Sequence, residues 1–234
     1  MGRPFLVLAS NSPRRRELLA LGGWSFNTRP AEVDESQYPA ETPGTYVLRL
    51  AESKARTCAA SQKKTRKVSA QEDLTILAAD TAVVEGNAIL GKPKDMVEAV
   101  EMLRRLRSRT HQVYTGIAVM RMSEGNLSTD LCVTDVPMRA YSNEEIDTYV
   151  ATGDPFDKAG AYAIQHAGFH PVDRMSGCYA SVMGLPLCHL TRTLHQFNIT
   201  PKTDISAECQ SSLKYTCRIS AAILRGEQVG RLKR

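Results

Sequence analysis

Phe5-Leu6-Val7-Leu8-Ala9-Ser10-Asn11-Ser12-Pro13-Arg14-Arg15-Arg16 is the stretch from which the fold is read. Its five leading apolar residues form a short continuous run, as expected of a buried strand. The run stops at a turn containing two serines and a proline, and three arginines follow. Glu17-Leu18-Leu19-Ala20-Leu21 then reads as a helix closed by Gly22-Gly23. A strand end, two hydroxyls, three cations and a helix start make a place for an anion. Helix N-termini present free N–H groups and a partial positive charge, and arginine adds paired contacts to phosphate oxygens. The first expectation is therefore a phosphorylated small molecule.

Outward from this unit the chain keeps mixing strands and helices. Trp24–Asn27 alternates as a short strand does, and residues 30–42 form a polar loop. Thr42-Pro43 opens a helix, with Thr42 as N-cap and Pro43 in the first helical position, running to about Ala60. Val47, Leu50, Ala51 and Lys54 share its three- and four-residue spacing. Residues 61–73 read as an exposed insertion. Leu74–Ala79 is a second buried strand, ended by Asp80-Thr81, and Ala82–Leu90 reads as a hairpin turning at Gly86-Asn87.

Asp95 caps a helix to about Arg107 with Val97, Val100, Leu103 and Leu106 facing inward. Gln112–Met122 and Leu127–Ala140 are strands joined by Ser-Glu-Gly-Asn. Ser142 and Glu145 form a capping box for a helix to about Thr152. Residues 153–184 are loop-rich, with a short apolar strand at Ala161–Ile164, and a helix covers Pro186–Phe197. The fold class is α/β, a mixed twisted sheet flanked by helices.

The composition permits this and excludes other classes. The 234 residues can form one large domain or two small lobes. We expect a domain over 1–200 and a basic extension over 201–234, helical near 206–226. No apolar run approaches the roughly 18 residues of a membrane helix. The early apolar run is too short for a signal peptide, so a cytoplasmic location is expected. The six cysteines lack CxxC or zinc-finger spacing and read as reduced thiols. Of the net charge of +5, the last 34 residues carry seven basic and three acidic groups. The nearly neutral body argues against a nucleic-acid partner.

Several residues could carry chemistry. Ser10, Ser12, Arg14 and Arg15 follow the first strand, and Asp80 and Thr81 follow the strand ending at Ala79. Ligands in α/β folds gather at such strand ends. Taken alone, Asp80 also reads as a turn residue, and Arg14–Arg16 as a solvated helix face. Glu35 lies in an acidic loop, Val33-Asp34-Glu35-Ser36. Two carboxylate regions beside an arginine-rich turn suit divalent-metal phosphate chemistry, because Mg²⁺ takes one or two carboxylates plus phosphate oxygens and water. A carboxylate could then orient or deprotonate the attacking water. Lys54, Lys92 and Lys158 are either surface charges or phosphate partners. Gly91-Lys92-Pro93 lacks the upstream glycine and the following Ser/Thr of a P-loop. The Gln165 carboxamide can read a base edge or satisfy its own loop.

These segments, in order, resemble the Maf-like nucleotide pyrophosphatases. The resemblance is carried by Leu8-Ala9-Ser10-Asn11-Ser12-Pro13-Arg14-Arg15, Val33-Asp34-Glu35, Arg49-Leu50-Ala51 with Lys54-Ala55, and Ala79-Asp80-Thr81. It continues through Leu90-Gly91-Lys92-Pro93, His111-Gln112-Val113, Asp157–Gln165 and Gly184-Leu185-Pro186-Leu187. It implies a two-lobed fold with a central cleft, related to inosine triphosphate pyrophosphatases and commonly dimeric. It also implies hydrolysis of a nucleoside triphosphate to the monophosphate and pyrophosphate with Mg²⁺ or Mn²⁺.

In that family the aspartate of Ala-Asp-Thr is the proton acceptor, which is Asp80 here. We expect Lys54 and Lys92 to act with Asp80 in catalysis, and Glu35 and Asp80 to hold the metal. Ser10, Ser12, Arg14, Arg15, Thr81, Lys158 and Gln165 would bind substrate. Arg14, Thr81 and Gln165 match the branch associated with dTTP and UTP. The other branch has tryptophan and glutamate at the first and last of these positions and prefers 7-methyl-GTP. His166 stands where the family often has glycine, and is expected to narrow the base pocket or bring a titratable group to it. The rival reading is a nucleotide- or nucleic-acid-binding regulator of cell division without turnover.

Overall fold

The computed structural model describes residues 5–65, 74–227 and 229. Among these, six strands form one sheet: β1 (Phe5–Leu8), β2 (Phe26–Thr28), β3 (Leu74–Glu85), β4 (Ala88–Leu90), β5 (Thr110–Arg121) and β6 (Leu127–Pro137). Their order is β2-β1-β3-β5-β6, with β4 paired to the far end of β3. The β2-β1-β3 pairings are parallel and the rest antiparallel. The helices are α1 (Pro13–Ala20), α2 (Pro43–Thr65), α3 (Met96–Leu106), α4 (Asn143–Ala151), α5 (Tyr179–Val182), α6 (Leu187–His195), α7 (Ile205–Leu213) and α8 (Ser220–Leu224). No helix among the described residues is long and apolar enough to cross a membrane.

The long central strand β3 organises the packing. Successive side chains along it point to opposite faces. Ile76, Ala78, Ala82 and Val84 lie against the apolar stripe Val47, Ala51 and Ala55 of α2. On the other face Leu77 and Ala79 join Leu18 and Leu19 of α1 and Leu187, Leu190 and Leu194 of α6. Farther along, Val83 enters a separate core built with Leu103 and Leu106 of α3 and Ile146, Tyr149 and Val150 of α4. One strand thus serves two lobes.

Several expectations need correction. The strand does not end at Ala79. Asp80 and Thr81 interrupt its apolar run but not its ladder, where they pair with Gly116 and Thr115 of β5. The turn at Gly86-Asn87 stands, between partners Glu85 and Ala88, with Gly86 at φ 61°. α1 begins at Pro13, earlier than read, because Ser12 caps it by accepting the Arg15 N–H at 3.4 Å. The three arginines therefore lie inside the helix.

α2 passes Ala60 and takes up residues 61–65 of the expected insertion, whose remainder lies outside the described residues. In α3 the inward face is Ala99, Met102, Leu103 and Leu106, and Val97 is 67% exposed. Ala161–Ile164 is not a strand; a 3₁₀ turn at Ala159–Ala161 leads into buried irregular chain. The extension forms α7 and α8, and it is fastened to the end of α1 by Lys202 N–H to Gly22 O at 2.9 Å and Thr203 Oγ1 to Leu21 O at 2.7 Å.

Gly116 sets how closely α2 approaches the sheet. A Cβ there would sit 2.7 Å from the Val47 carbonyl oxygen, a backbone atom that cannot step aside. That close approach carries Lys54, two helical turns on, over the middle of β3. Gly116→Ala is expected to lower stability by about 1–3 kcal/mol through overpacking, read from the midpoint of urea unfolding. An unchanged midpoint would contradict this account of the helix–sheet contact.

Candidate active site

A cleft of about 420 Å³ opens where the two lobes diverge. Five cations (Arg14, Arg15, Lys54, Lys92 and Lys158) and three carboxylates (Glu35, Asp80 and Asp157) line it. Ile89, Leu90, Tyr162, Ile164 and Met183 supply an apolar wall, with Gln165 and Thr81 beside it. An excess of cations around a wall suited to a flat ring fits a ligand with an anionic chain and an aromatic group.

At the centre, Lys54 Nζ lies 2.6 Å from Glu35 Oε1 and 2.6 Å from Asp80 Oδ1. The Lys54 and Asp80 side chains are only 11% and 10% exposed, whereas Glu35 is 54% exposed. Burial raises the Asp80 carboxyl above its ordinary value, and the charges of Lys54 and Arg15 only partly oppose it. At Glu35 burial also acts upward, but the hydrogen bond and charge of Lys54, with Lys92 and Arg15, outweigh it and hold this acid below its usual range. The two acids are thus driven apart, a mark of functional sites.

Glu35 and Asp80 are the residues of the cleft that could hold a divalent cation beside Lys54. One or two carboxylates are the protein ligands that Mg²⁺ or Mn²⁺ takes when phosphate oxygens and water complete its shell. Among the described residues there is no cluster of three or more His, Cys, Asp or Glu that could cage a metal unaided.

Glu35 sits on a loop, and α2 holds that loop down. The Tyr46 hydroxyl donates to the Glu35 carbonyl at 2.9 Å. Arg49 donates to the Ser36 carbonyl at 2.9 Å and grips Glu41 with two bonds of 2.6 and 2.8 Å. Its guanidinium lies 3.9 Å from the ring centroid of Tyr38. Burial, then Asp80 and Glu35, push the Tyr46 phenol up to about 12, so it stays a donor at neutral pH. These residues had no assigned role in the sequence reading. The available signal was Arg49's place in the segment Arg49-Leu50-Ala51 with Lys54-Ala55, one helical turn after Tyr46.

Arg15 donates through Nε to Gly184 O at 2.9 Å, through Nη1 to Ser10 Oγ at 3.4 Å and through Nη2 to Thr81 Oγ1 at 3.2 Å. Burial lowers its pKa, against the raising effect of Asp80. Ser10 is buried behind the cleft wall, where its Oγ also accepts the Ser12 N–H at 3.1 Å. Arg14 lies 3.5 Å from Asp157. Lys158 is surrounded by acceptors of its own loop: Asp154 O at 2.6 Å, Asp154 Oδ1 at 3.0 Å and Asp157 Oδ1 at 2.5 Å. Asp157 and Asp154 were not singled out from the sequence as partners of Lys158. Lys92 is exposed and makes no ion pair with a described residue. The Gly160 N–H ties this segment to Gly91 O at 3.0 Å.

His166 does not enter the cleft. The turn closed by its N–H on Ala163 O directs it away, its ring packs edge-on against Tyr149 at 4.7 Å, and its Nδ1 accepts the Phe169 N–H at 2.9 Å. The expectation that it narrows the base pocket is therefore wrong.

Residues 5–197 match the family described as Maf-like protein, and the chain belongs to that family. It is 43% identical over 198 residues to the dTTP/UTP pyrophosphatase of Hahella chejuensis, covering 85% of this chain and 94% of the relative. The dTTP/UTP pyrophosphatase of Anaeromyxobacter dehalogenans is 44% identical over 82% of this chain and 94% of its own. That of Escherichia coli O157:H7 is 42% identical over 82% and 93%. Among solved structures, the Staphylococcus aureus Ham1 protein aligns at 14% identity with a TM-score of 0.38, over 90% of this chain and 98% of its own; at that score it bears on neither fold nor function.

Removing the clamp on the Glu35 loop should loosen that loop without unfolding the protein. Arg49→Ala is expected to leave the far-ultraviolet circular dichroism unchanged while residues 30–41 are cut about tenfold faster in limited proteolysis. Equal cleavage rates would show that Arg49 does not hold the loop.

Proposed function

We propose that this Maf-like protein hydrolyses nucleoside triphosphates, dTTP and UTP foremost, to the monophosphate and pyrophosphate. The observation that carries the proposal is a buried, upward-shifted Asp80 facing Lys54 in a cleft lined by cations. The choice of substrate draws on the relatives named dTTP/UTP pyrophosphatase. Arg14, Thr81 and Gln165 agree with that branch of the family.

In this reading the triphosphate lies along Ser12, Arg14, Arg15 and Lys92, and the base rests on the apolar wall beside Gln165. Asp80 accepts a proton from water as the water oxygen bonds to the α-phosphorus. The bond from that phosphorus to the α–β bridging oxygen breaks, its electron pair leaving with pyrophosphate, and Asp80 later returns its proton to solvent. Lys54, Lys92 and Arg15 offset the charge that develops on the leaving group. Glu35 and Asp80 would hold a divalent metal, Mg²⁺ or Mn²⁺, which when bound neutralises phosphate charge. We further propose a cytoplasmic homodimer that removes unwanted pyrimidine nucleotides from the precursor pool.

Asp80→Asn should slow pyrophosphate release about 1,000-fold while calorimetry still registers nucleotide binding. Full activity in that variant would remove Asp80 from its role. No pyrophosphate from any triphosphate with either metal would instead favour a binding regulator. A chelator should stop turnover, and added Mg²⁺ or Mn²⁺ should restore it.

The pH dependence has a definite sign. Asp80 works as a base only when ionised, and its pKa is raised. Activity should therefore fall as pH drops through a midpoint above the ordinary aspartate value of about 3.9. Removing a favourable cation by Lys54→Met should move that midpoint higher still, as kcat/KM profiles would record.

A further inference from the structure

Thr81 and Thr115 face each other across β3 and β5, on the side of the sheet opposite Asp80. Their Oγ1 atoms are 3.1 Å apart. Thr115 is fully buried, and its hydroxyl donates to the Ser181 carbonyl at 2.8 Å. A hydroxyl has one proton. Since the Thr115 proton lies on Ser181, the bond between the two threonines is donated by Thr81. Thr81 then has no proton left to offer a ligand, and its oxygen accepts from Arg15 Nη2 at 3.2 Å.

We infer that Thr81 and the buried Thr115 form a hydroxyl pair that positions the Arg15 guanidinium against the triphosphate. This inference rests on the functional reading above, and it makes Thr115 a positioning residue. The pair closes a circuit on α5 and the turn after it. Ser181 O holds Thr115, Thr115 holds Thr81, Thr81 holds Arg15, and Arg15 returns to Gly184 O at 2.9 Å.

Of the five guanidinium N–H groups, Gly184, Ser10 and Thr81 each take one. One N–H is left on each terminal nitrogen for phosphate oxygens. Gly184, at φ 105°, completes the fit, since a Cβ there would come within 3.2 Å of Arg15 Nε and 3.4 Å of Thr81 Oγ1.

The test uses the full chain and two readouts: steady-state pyrophosphate release from dTTP, UTP, CTP and dGTP, and calorimetric binding of inorganic tripolyphosphate. Thr115→Val and Thr81→Val should each lower kcat/KM about 10- to 100-fold and weaken tripolyphosphate binding. Thr115→Ser should recover most of the loss. In an Arg15→Lys background, Thr115→Val should add less than about a twofold loss, because it acts through the same group.

Full additivity with Arg15→Lys would overturn the inference. So would unchanged tripolyphosphate affinity in Thr115→Val. A wild-type protein that releases no pyrophosphate, yet loses tripolyphosphate affinity in Thr115→Val, would refute the functional reading and keep the positioning pair.

Discussion

A carboxylate placed in the middle of a buried strand needs a counter-charge, and at Asp80 that is the ammonium of Lys54. Transfer of an isolated ionised carboxylate into a protein interior is strongly unfavourable. Lys54 makes the position tenable, and through its second contact it brings Glu35 in from the loop. Much of the fold serves that contact. α2 must lie close to the sheet, which Gly116 allows, and the loop before α2 must be held, which Tyr46 and Arg49 do. The remaining imbalance leaves the Asp80 carboxyl displaced upward.

The alternation of side chains along a strand divides the labour between neighbours in sequence. Asp80 points to α2 and its lysine; Thr81 points to α1, α5 and the arginine. Both line one cleft because β3 runs on from one lobe to the other and the helices part around it. Adjacent residues thus face two different sets of partners, a lysine–carboxylate cluster on one side and an arginine–hydroxyl cluster on the other.

Much of this was legible in the sequence, for identifiable reasons. Apolar runs and caps mark the strands and helices, and Thr42, Asp95 and the Ser142–Glu145 box begin helices as read. Ser12, Arg14, Arg15, Glu35, Lys54, Asp80, Thr81, Lys92, Lys158 and Gln165 meet in one cleft. What escaped is what depends on tertiary neighbours. A polar pair looks like a strand end unless its partners across the ladder are known, so β3 was cut at Ala79. Val97 obeys helical spacing but lies in the first turn, outside the packed face. Thr115 carries no local signal, since its role comes from a hydroxyl on another strand and a carbonyl from α5.

The bond from Arg15 to Gly184 spans 169 residues of sequence. The core behind it likewise joins Leu6, Leu8 and Leu19 to Leu187, Leu190 and Leu194. A ribosome makes the first group long before the second. The opening strand and helix must therefore wait, with their apolar faces uncovered, until the later helices are released. Contacts of such long range slow folding and extend the time in which exposed strands can pair wrongly. Arg15 gains its orientation only when residue 184 has been made, so a partly synthesised chain carries the residues of the cleft but not the cleft itself.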